Sequence, residues 1–241
     1  MSEDDDRRER AREQILTAAA TAIASRGYHG MSMRELARVT GRSLGNFYNY
    51  FSSKDDLLFA LNTRAFGVLM DTQAKALSAT EDPVAQLYLF VTNHVGYFLQ
   101  HTDVMRVLIH EAATLGPSQR REVRAIKEGY FRVAHGIVAR ILQQHASEEA
   151  TGQAAATVDA GEDERATYCL FGMMNWVYAW YDPAQHGAPR DVAHTIHQMA
   201  IRGLVAGNPQ ARLQEALDGQ IRQGQLPSPI RLRPDDEGAA A

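Results

Sequence analysis

The chain has 241 residues and a single cysteine, Cys169. One cysteine excludes an internal disulfide framework and a cysteine cluster that holds zinc, and it favours a reducing compartment. No apolar run approaches the roughly 20 residues that cross a membrane. The N-terminus is acidic at Asp4–Asp6 and then basic at Arg7–Arg8, without the apolar stretch of a signal peptide. We therefore expect a cytoplasmic protein that has no membrane partner.

Motifs typical of enzymes and metal centres are also missing. The sequence contains no glycine-rich phosphate loop, no His-Glu-x-x-His motif and no Ser/His/Asp order. Four histidines lie on predicted helices of the C-terminal part: His94, His101, His110 and His135. Their spacing from carboxylate residues shows no repeated pattern of the kind that holds a metal ion. We accordingly predict no catalytic residue, no metal ligand and no cofactor.

The segment from Met33 to Phe51 is the most informative part of the chain, because it predicts two short helices joined by a glycine turn. Gly41 suits the turn, since glycine takes left-handed dihedral angles without strain. Ser43 is placed to cap the second helix. A helix-turn-helix joins its helices by a turn of about 3–4 residues and places the second helix in the major groove of DNA. The segment therefore predicts DNA binding.

The distribution of charge supports this interpretation. Between Arg7 and Lys54 there are nine basic and three acidic side chains, a net charge of +6, whereas the whole chain carries −4. The remainder is therefore acidic by ten charges. A basic module on an acidic body is typical of local phosphate contact.

Helical periodicity dominates the whole chain and alternating strand patterns are absent, so we predict an all-α protein. We expect nine helices, the first over about residues 7–26, the eighth over about 163–181 and the ninth over about 189–204, with a loop at 147–162. The predicted domains are a helix-turn-helix domain at 1–60 and a helical bundle at 61–206. Residues 207–241 have little to bury and are predicted to form a disordered tail.

The pattern after the turn is Gly41-x-Ser43-x-Gly45-x-x-Tyr48-x-Tyr50-Phe51-x-x-Lys54-Asp55-Asp56-Leu57-Leu58. In this pattern, over about residues 10–60, the chain resembles the TetR family of bacterial repressors. One position differs from the family pattern: Arg42 stands where the family usually has an apolar residue. Because an unpaired charge is not buried there, we expect its side chain to point outward. The resemblance implies these DNA-binding residues: Arg42, Ser43, Leu44, Gly45, Asn46, Tyr48, Asn49, Tyr50 and Lys54.

The implied roles have a physical basis. Asn46 and Asn49 are able to bind base edges or phosphates, asparagine being the preferred bidentate partner of adenine. Tyr48 and Tyr50 offer hydroxyl groups to phosphates. Lys54, at the start of the fourth predicted helix, is expected to meet a phosphate together with the amides of that helix.

The eighth predicted helix is apolar nearly all round and must be covered on both sides. TetR-family repressors dimerise through helices eight and nine, so the resemblance implies a homodimer; the alternative is a central core helix of a monomer. We predict that Phe171, Met174 and Tyr178 face the core of their own chain. The residues predicted to face a partner are Leu170, Met173, Val177 and Trp180.

A longer pattern consists of Phe171-Gly172-Met173-Met174-Asn175-Trp176, Trp180-Tyr181-Asp182-Pro183, Pro189 and Arg202-Gly203-Leu204. In this pattern the chain is similar to a family branch that responds to acyl-CoA thioesters and represses fatty-acid and sterol degradation. The ligand pocket predicted from this similarity is lined by Phe98, Met105, Ile109, Tyr130, Phe131, Met174 and Tyr178. Basic partners for a phosphate-bearing ligand are available at Arg106, Arg120, Arg121, Arg124 and Lys127.

The predicted function is therefore a repressor that a hydrophobic effector, such as an acyl-CoA, releases from a double-stranded DNA operator. One alternative keeps the repressor and replaces acyl-CoA with another hydrophobic small molecule. A second alternative is an all-helical enzyme or lipid-binding protein.

Overall fold

The computed structural model describes residues 3–150 and 161–205, with side chains for 4–147 and 161–205. Regular structure in these ranges is entirely helical, which confirms the predicted fold class. A short 3₁₀ helix, Ala112–Thr114, lies between the sixth and seventh α-helices. The α-helices are α1 (Glu3–Arg26), α2 (Met33–Val39), α3 (Leu44–Tyr48), α4 (Lys54–Leu77), α5 (Pro83–Gln100), α6 (Thr102–His110), α7 (Pro117–Ala150), α8 (Glu162–Asn175), α9 (Val177–Trp180), α10 (Pro183–His186) and α11 (Pro189–Val205).

Local hydrogen bonds define the helix-turn-helix. Ser32 and Glu35 form a capping box at the start of α2, in which the Ser32 amide donates to the Glu35 carboxylate at 2.8 Å. Gly41 has a φ angle of 69°, the left-handed conformation expected of the turn. The hydroxyl of Ser43 accepts a hydrogen bond from the Asn46 amide at 3.2 Å and caps α3. The glycine turn at Gly41 and the cap at Ser43 predicted for this segment are therefore confirmed.

The apolar side chains form two cores, and α4 runs through both. Leu57, Leu58 and Leu61 on its first half pack in an N-terminal core with α1, α2 and α3. Phe66 and Leu69 on its second half pack in the core of the body with α5, α7, α8 and α11. The helix α4 therefore links the helix-turn-helix to the body.

Several helix ends differ from the prediction. The helix α1 begins at Glu3 and not near residue 7, because its acidic residues occupy the first turns, where negative charge is favourable next to the helix dipole. The helix α7 extends to Ala150, into the loop expected at 147–162. The rest of that loop up to residue 160 and the predicted tail lie outside the described residues.

The predicted eighth helix is broken. The hydrogen-bond pattern of the helix tightens at Trp176. The Trp176 carbonyl oxygen accepts a hydrogen bond from the backbone amide of Ala179, three residues further on, at 3.1 Å. The chain continues as the single turn α9 and, after Tyr181, as α10.

No helix in the described part of the chain is long and apolar enough to cross a membrane.

Candidate nucleic-acid interface and ligand cavity

The helix α3 presents polar groups on one side and buries an aromatic ring on the other. Phe47 is fully buried, whereas 48% of Tyr48 is exposed. Gly45, Asn46 and Asn49 are also exposed. The exposed side of α3 thus offers two amides and a phenol to a neighbouring molecule.

Arg42 is half-buried beside α3 and its charge has local partners. Its Nη1 atom donates to Oδ1 of Asn46 at 3.1 Å. The guanidinium also lies 5.0 Å from the centre of the Tyr50 ring. With Oδ1 engaged in this way, the amide of Asn46 is oriented so that its Nδ2 hydrogens are available to an external acceptor.

The N-terminal part of α1 lies next to α3, the second or recognition helix of the helix-turn-helix. Arg8 donates to the carbonyl oxygen of Asn49 at 3.4 Å. A polar cleft between the two helices is lined by Asp4, Arg7, Arg8, Arg10, Ala11, Gln14, Arg42, Asn46, Asn49 and Tyr50. The sequence indicated the basic charge of α1 but not the position of these arginines beside α3.

Lys54 has an internal role that the sequence did not indicate. Its Nζ atom donates to the carbonyl oxygens of Tyr28 at 2.8 Å and Met31 at 2.9 Å. The ammonium also lies 4.2 Å from the centre of the Tyr28 ring. Lys54 therefore links the start of α4 to the turn between α1 and α2, and these two hydrogen bonds leave one ammonium N–H for the predicted phosphate contact.

The same turn is tied to the body. The Tyr28 amide donates to Oε1 of Glu111 at 3.1 Å, directly after α6. The Tyr28 hydroxyl donates to Asp55 on α4. Burial and then the Asp55 carboxylate raise the pKa of Tyr28, so the phenol keeps its hydrogen for this bond. Tyr28 thus connects α4 and the end of α6.

A cavity of about 530 Å³ opens in the body. Five of the seven predicted ligand residues lie in its wall: Phe98, Met105, Ile109, Tyr130 and Phe131. Three of the basic residues named as phosphate partners, Arg120, Arg124 and Lys127, also line it. The sequence did not assign the other lining residues to a pocket; these are Phe66, His94, Leu108, Ala112, Ala113, Val123, Glu128, Tyr168, Phe171 and Asn175. Its size is typical of a small-molecule site.

Two predicted ligand residues do not line this cavity. Met174 is buried in the core of the body, with 1% of its surface exposed. Tyr178 lies in a separate crevice with Ile23 and Gly27, and its hydroxyl pairs with Nε2 of His110 at 2.8 Å. The structure thus places both outside this cavity: Met174 packs in the core before the tightened turn at Trp176, and Tyr178 follows that turn.

Three basic side chains line the cavity, and two of them bind backbone. Lys127 donates to the carbonyl oxygen of Leu108 at 3.0 Å, and burial lowers its pKa. Arg120 donates to the carbonyl oxygen of Leu115, at 2.8 Å from Nη2. Arg124 is exposed. These residues give a mainly apolar cavity a basic margin.

The face predicted for a partner is only partly correct. Leu170 and Val177 are each 2% exposed and pack in the body, so they do not face outward. The exposed apolar side chains are instead Trp176 at 61%, Trp180 at 45% and, on α11, Met199 at 60%. Together with Met173 they line a groove of about 670 Å³ between α8 and α11.

The fold and the exposed recognition helix define a helix-turn-helix transcriptional regulator, and comparisons with known proteins agree. The model of "Bacterial regulatory proteins, tetR family" matches residues 15–61. The model "Tetracyclin repressor-like, C-terminal domain" matches residues 80–204, more than half of the chain. The chain therefore belongs to the TetR family, whose members are regulators and not enzymes.

Individual relatives have low sequence identity to this chain. The Fatty acid metabolism regulator protein of Bacillus subtilis is 25% identical over 130 residues, which cover 54% of this chain and 67% of the relative. The HTH-type transcriptional activator FasR of Mycolicibacterium smegmatis is 27% identical over 156 residues, covering 64% and 71%. The crystal structure of the TetR regulator PfmR from Thermus thermophilus superposes with a TM-score of 0.66 at 25% identity, covering 79% of this chain and 95% of PfmR.

Proposed function

We propose that this regulator represses transcription in the cytoplasm by binding an operator as a homodimer, and that an acyl-CoA thioester releases it. The observation that carries the proposal is the cavity of about 530 Å³, with an apolar wall and Arg120, Arg124 and Lys127 at its margin. An acyl chain suits the wall, and the phosphates of CoA suit the basic side chains. The name of the Bacillus subtilis relative, a regulator of fatty acid metabolism, supports the same class of effector.

Operator recognition is assigned to the exposed side of α3 and to the residues around it. Asn46, Tyr48 and Asn49 would contact base edges or phosphates, and Gly45 would allow close approach of the helix. The arginines at the start of α1 would bind adjacent phosphates. The domains proposed are residues 1–60 for DNA binding and 61–206 for ligand binding and dimerisation.

Coupling between cavity and operator would run through the end of α6. Ile109 and Ala112 line the cavity, and Glu111 between them accepts the hydrogen bond of the Tyr28 amide. A ligand that displaces this segment would shift the α1–α2 turn, to which Lys54 and Asp55 of α4 are also bonded. For release, the ligand must bind the displaced state more tightly than the operator-bound state.

The homodimer would form through the α8–α11 groove. Trp176, Trp180 and Met199 expose large apolar surfaces there, and such surfaces are typical of protein interfaces. A two-fold dimer requires operator half-sites about one helical turn apart, roughly 34–36 Å. Footprinting on genomic operator fragments should protect two related half-sites, whereas protection of one asymmetric half-site by a monomer would contradict the dimer.

The effector is tested by titrating thioesters of increasing chain length against the protein bound to labelled operator. Burial of about ten methylenes contributes about 8 kcal/mol before the ordering costs of binding. We expect the concentration needed for release to fall with chain length, and free CoA to have no effect. A response that does not depend on chain length would reject the acyl chain as the recognised group.

A second candidate is an uncharged hydrophobic molecule. It is favoured by the backbone bonds of Lys127 and Arg120, which already use part of the donor capacity of the basic margin. Release by such a compound, with no response to any thioester, would select this candidate.

A further inference from the structure

His94 is a polar side chain in an aromatic part of the cavity wall. It lies on α5 and is 2% exposed. Its ring lies 4.7 to 6.5 Å from the ring centres of Phe90, Phe98, Tyr130 and Phe171. Four hydrophobic neighbours would accommodate a phenylalanine equally well, so packing alone does not explain an imidazole at this position.

The hydrogen bond of His94 indicates which ring nitrogen carries the hydrogen. Burial lowers the pKa of His94 to about 3, so the ring is neutral at pH 7 and has one N–H. Its Nδ1 atom lies 3.3 Å from the hydroxyl of Tyr130, which burial keeps protonated by raising its pKa. Within the described residues, the Tyr130 hydroxyl makes this one hydrogen bond. A phenol that donates to Nδ1 leaves the imidazole hydrogen on Nε2.

The Nε2 donor is buried without a well-formed hydrogen bond. Within residues 4–147 and 161–205, this atom has no hydrogen bond of normal geometry. The Asn175 side chain lines the same cavity, and its hydrogen-bonding contact with His94 raises the pKa of His94, opposite to the effect of burial. Buried donors nearly always have a well-formed partner, so a poorly paired one in a cavity wall points to a ligand that supplies a better-placed acceptor.

We propose that the effector carries an oxygen acceptor, a carbonyl or a hydroxyl, in its buried apolar portion, and that Nε2–H of His94 donates to it. The inference rests on the proposed effector site. A pure hydrocarbon segment would leave the donor unsatisfied and bind less tightly. The oxygen has two possible sources in an acyl-CoA, the thioester carbonyl or a substituent along the chain.

The wild-type protein tests this with four probes: dodecanoyl-CoA, its β-hydroxy and β-keto derivatives, and the thioether analogue that lacks the carbonyl. We expect the best oxygen-bearing probe to release the operator at a concentration at least about tenfold lower than the probe without the matching oxygen, which is about 1.4 kcal/mol. A weak thioether identifies the thioester carbonyl, and strong β-substituted probes identify a chain oxygen. Equal potency of all four overturns the inference.

Failure of the effector class is distinguishable from failure of this inference. If no thioester releases the operator, the acyl-CoA proposal fails, and the donor is then tested with methyl heptyl ketone against nonane. Binding of each is followed as a shift in thermal unfolding. A larger shift for the ketone supports the His94 site, and equal shifts overturn it.

Variants separate the donor from the packing role. His94→Phe keeps a ring in the aromatic wall and should lower the preference for the oxygenated probe at least about tenfold. His94→Gln retains an N–H donor and should restore part of that preference. His101→Phe makes the same change at an exposed residue after α5, outside the cavity, and should retain the preference. An unchanged preference in His94→Phe overturns the inference, and if that variant does not fold, the wild-type comparison decides.

Discussion

Replacement of Lys54 by methionine separates an internal role from a phosphate contact. Lys54 is half-buried at the start of α4, and its ammonium donates to the carbonyl oxygens of Tyr28 and Met31. Methionine keeps most of the aliphatic length and removes the charge and all three donors. We therefore expect the variant to be destabilised even without DNA.

The magnitude follows from the lost contacts. Hydrogen bonds to a charged group contribute about 1.5–3 kcal/mol each, and a cation–π contact contributes about 0.5–1 kcal/mol. Because Lys54 is half-buried, water takes over part of these bonds at the exposed carbonyls. We expect a loss of about 2–4 kcal/mol in the free energy of unfolding.

Urea unfolding measures this directly, as a lower midpoint at an unchanged slope. Lys75→Met is the matched control, since Lys75 is exposed near the end of the same helix. Operator affinity is measured in parallel against salt, where each phosphate contact contributes about 0.9 to the logarithmic slope. A variant as stable as wild type, with the slope reduced by one phosphate, would refute the internal role of Lys54 and leave a phosphate contact alone.

Three further predictions concern the recognition helix, the cavity and a buried histidine. Asn46→Ala should relax discrimination at one or two operator positions, by about 1–3 kcal/mol if the amide contacts a base; equal weakening on a panel of single-base operator variants would assign Asn46 to phosphate contact. Ile109→Gln should raise the concentration of acyl-CoA needed for release, whereas Met70→Gln, an equally exposed apolar residue at 39% on α4 outside the cavity, should not; equal responses would contradict the assigned wall. Because the pKa of His94 is depressed, between about pH 6.5 and 3 the unfolded chain binds a proton at this residue and the folded chain does not. The free energy of unfolding therefore decreases as the pH is lowered through that window, by up to about 1.4 kcal/mol per pH unit. In urea unfolding at several pH values, His94→Phe should lack this component, and parallel pH profiles of the two proteins would exclude a neutral buried imidazole.

Sequence alone determined the helix-turn-helix, because that unit depends on interactions between residues close in the chain. The capping box at Ser32, the left-handed glycine at position 41 and the cap at Ser43 are each decided within three or four residues. Helical periodicity likewise determined the all-α class.

The cavity wall was decided by tertiary structure. Because α8 is apolar nearly all round, its sequence does not tell which side faces the cavity, the core or solvent. Phe171, before the tightened turn at Trp176, lines the cavity, whereas Tyr178, after that turn, does not. Packing against the body buries Leu170 and Val177, and the large side chains that remain exposed include Trp176 and Trp180.

The roles of individual polar groups also depended on distant parts of the chain. A lysine at the start of a helix suits either a phosphate or a buried carbonyl, and the carbonyls that Lys54 binds lie 23 and 26 residues away in sequence. A histidine in an apolar stripe suits either a core or a ligand site. The position of Tyr130, 36 residues further on, decides that Nδ1 is hydrogen-bonded while Nε2 lacks a hydrogen bond of normal geometry. Local patterns determine which helices form, but the partners of a buried polar atom are determined by how those helices pack.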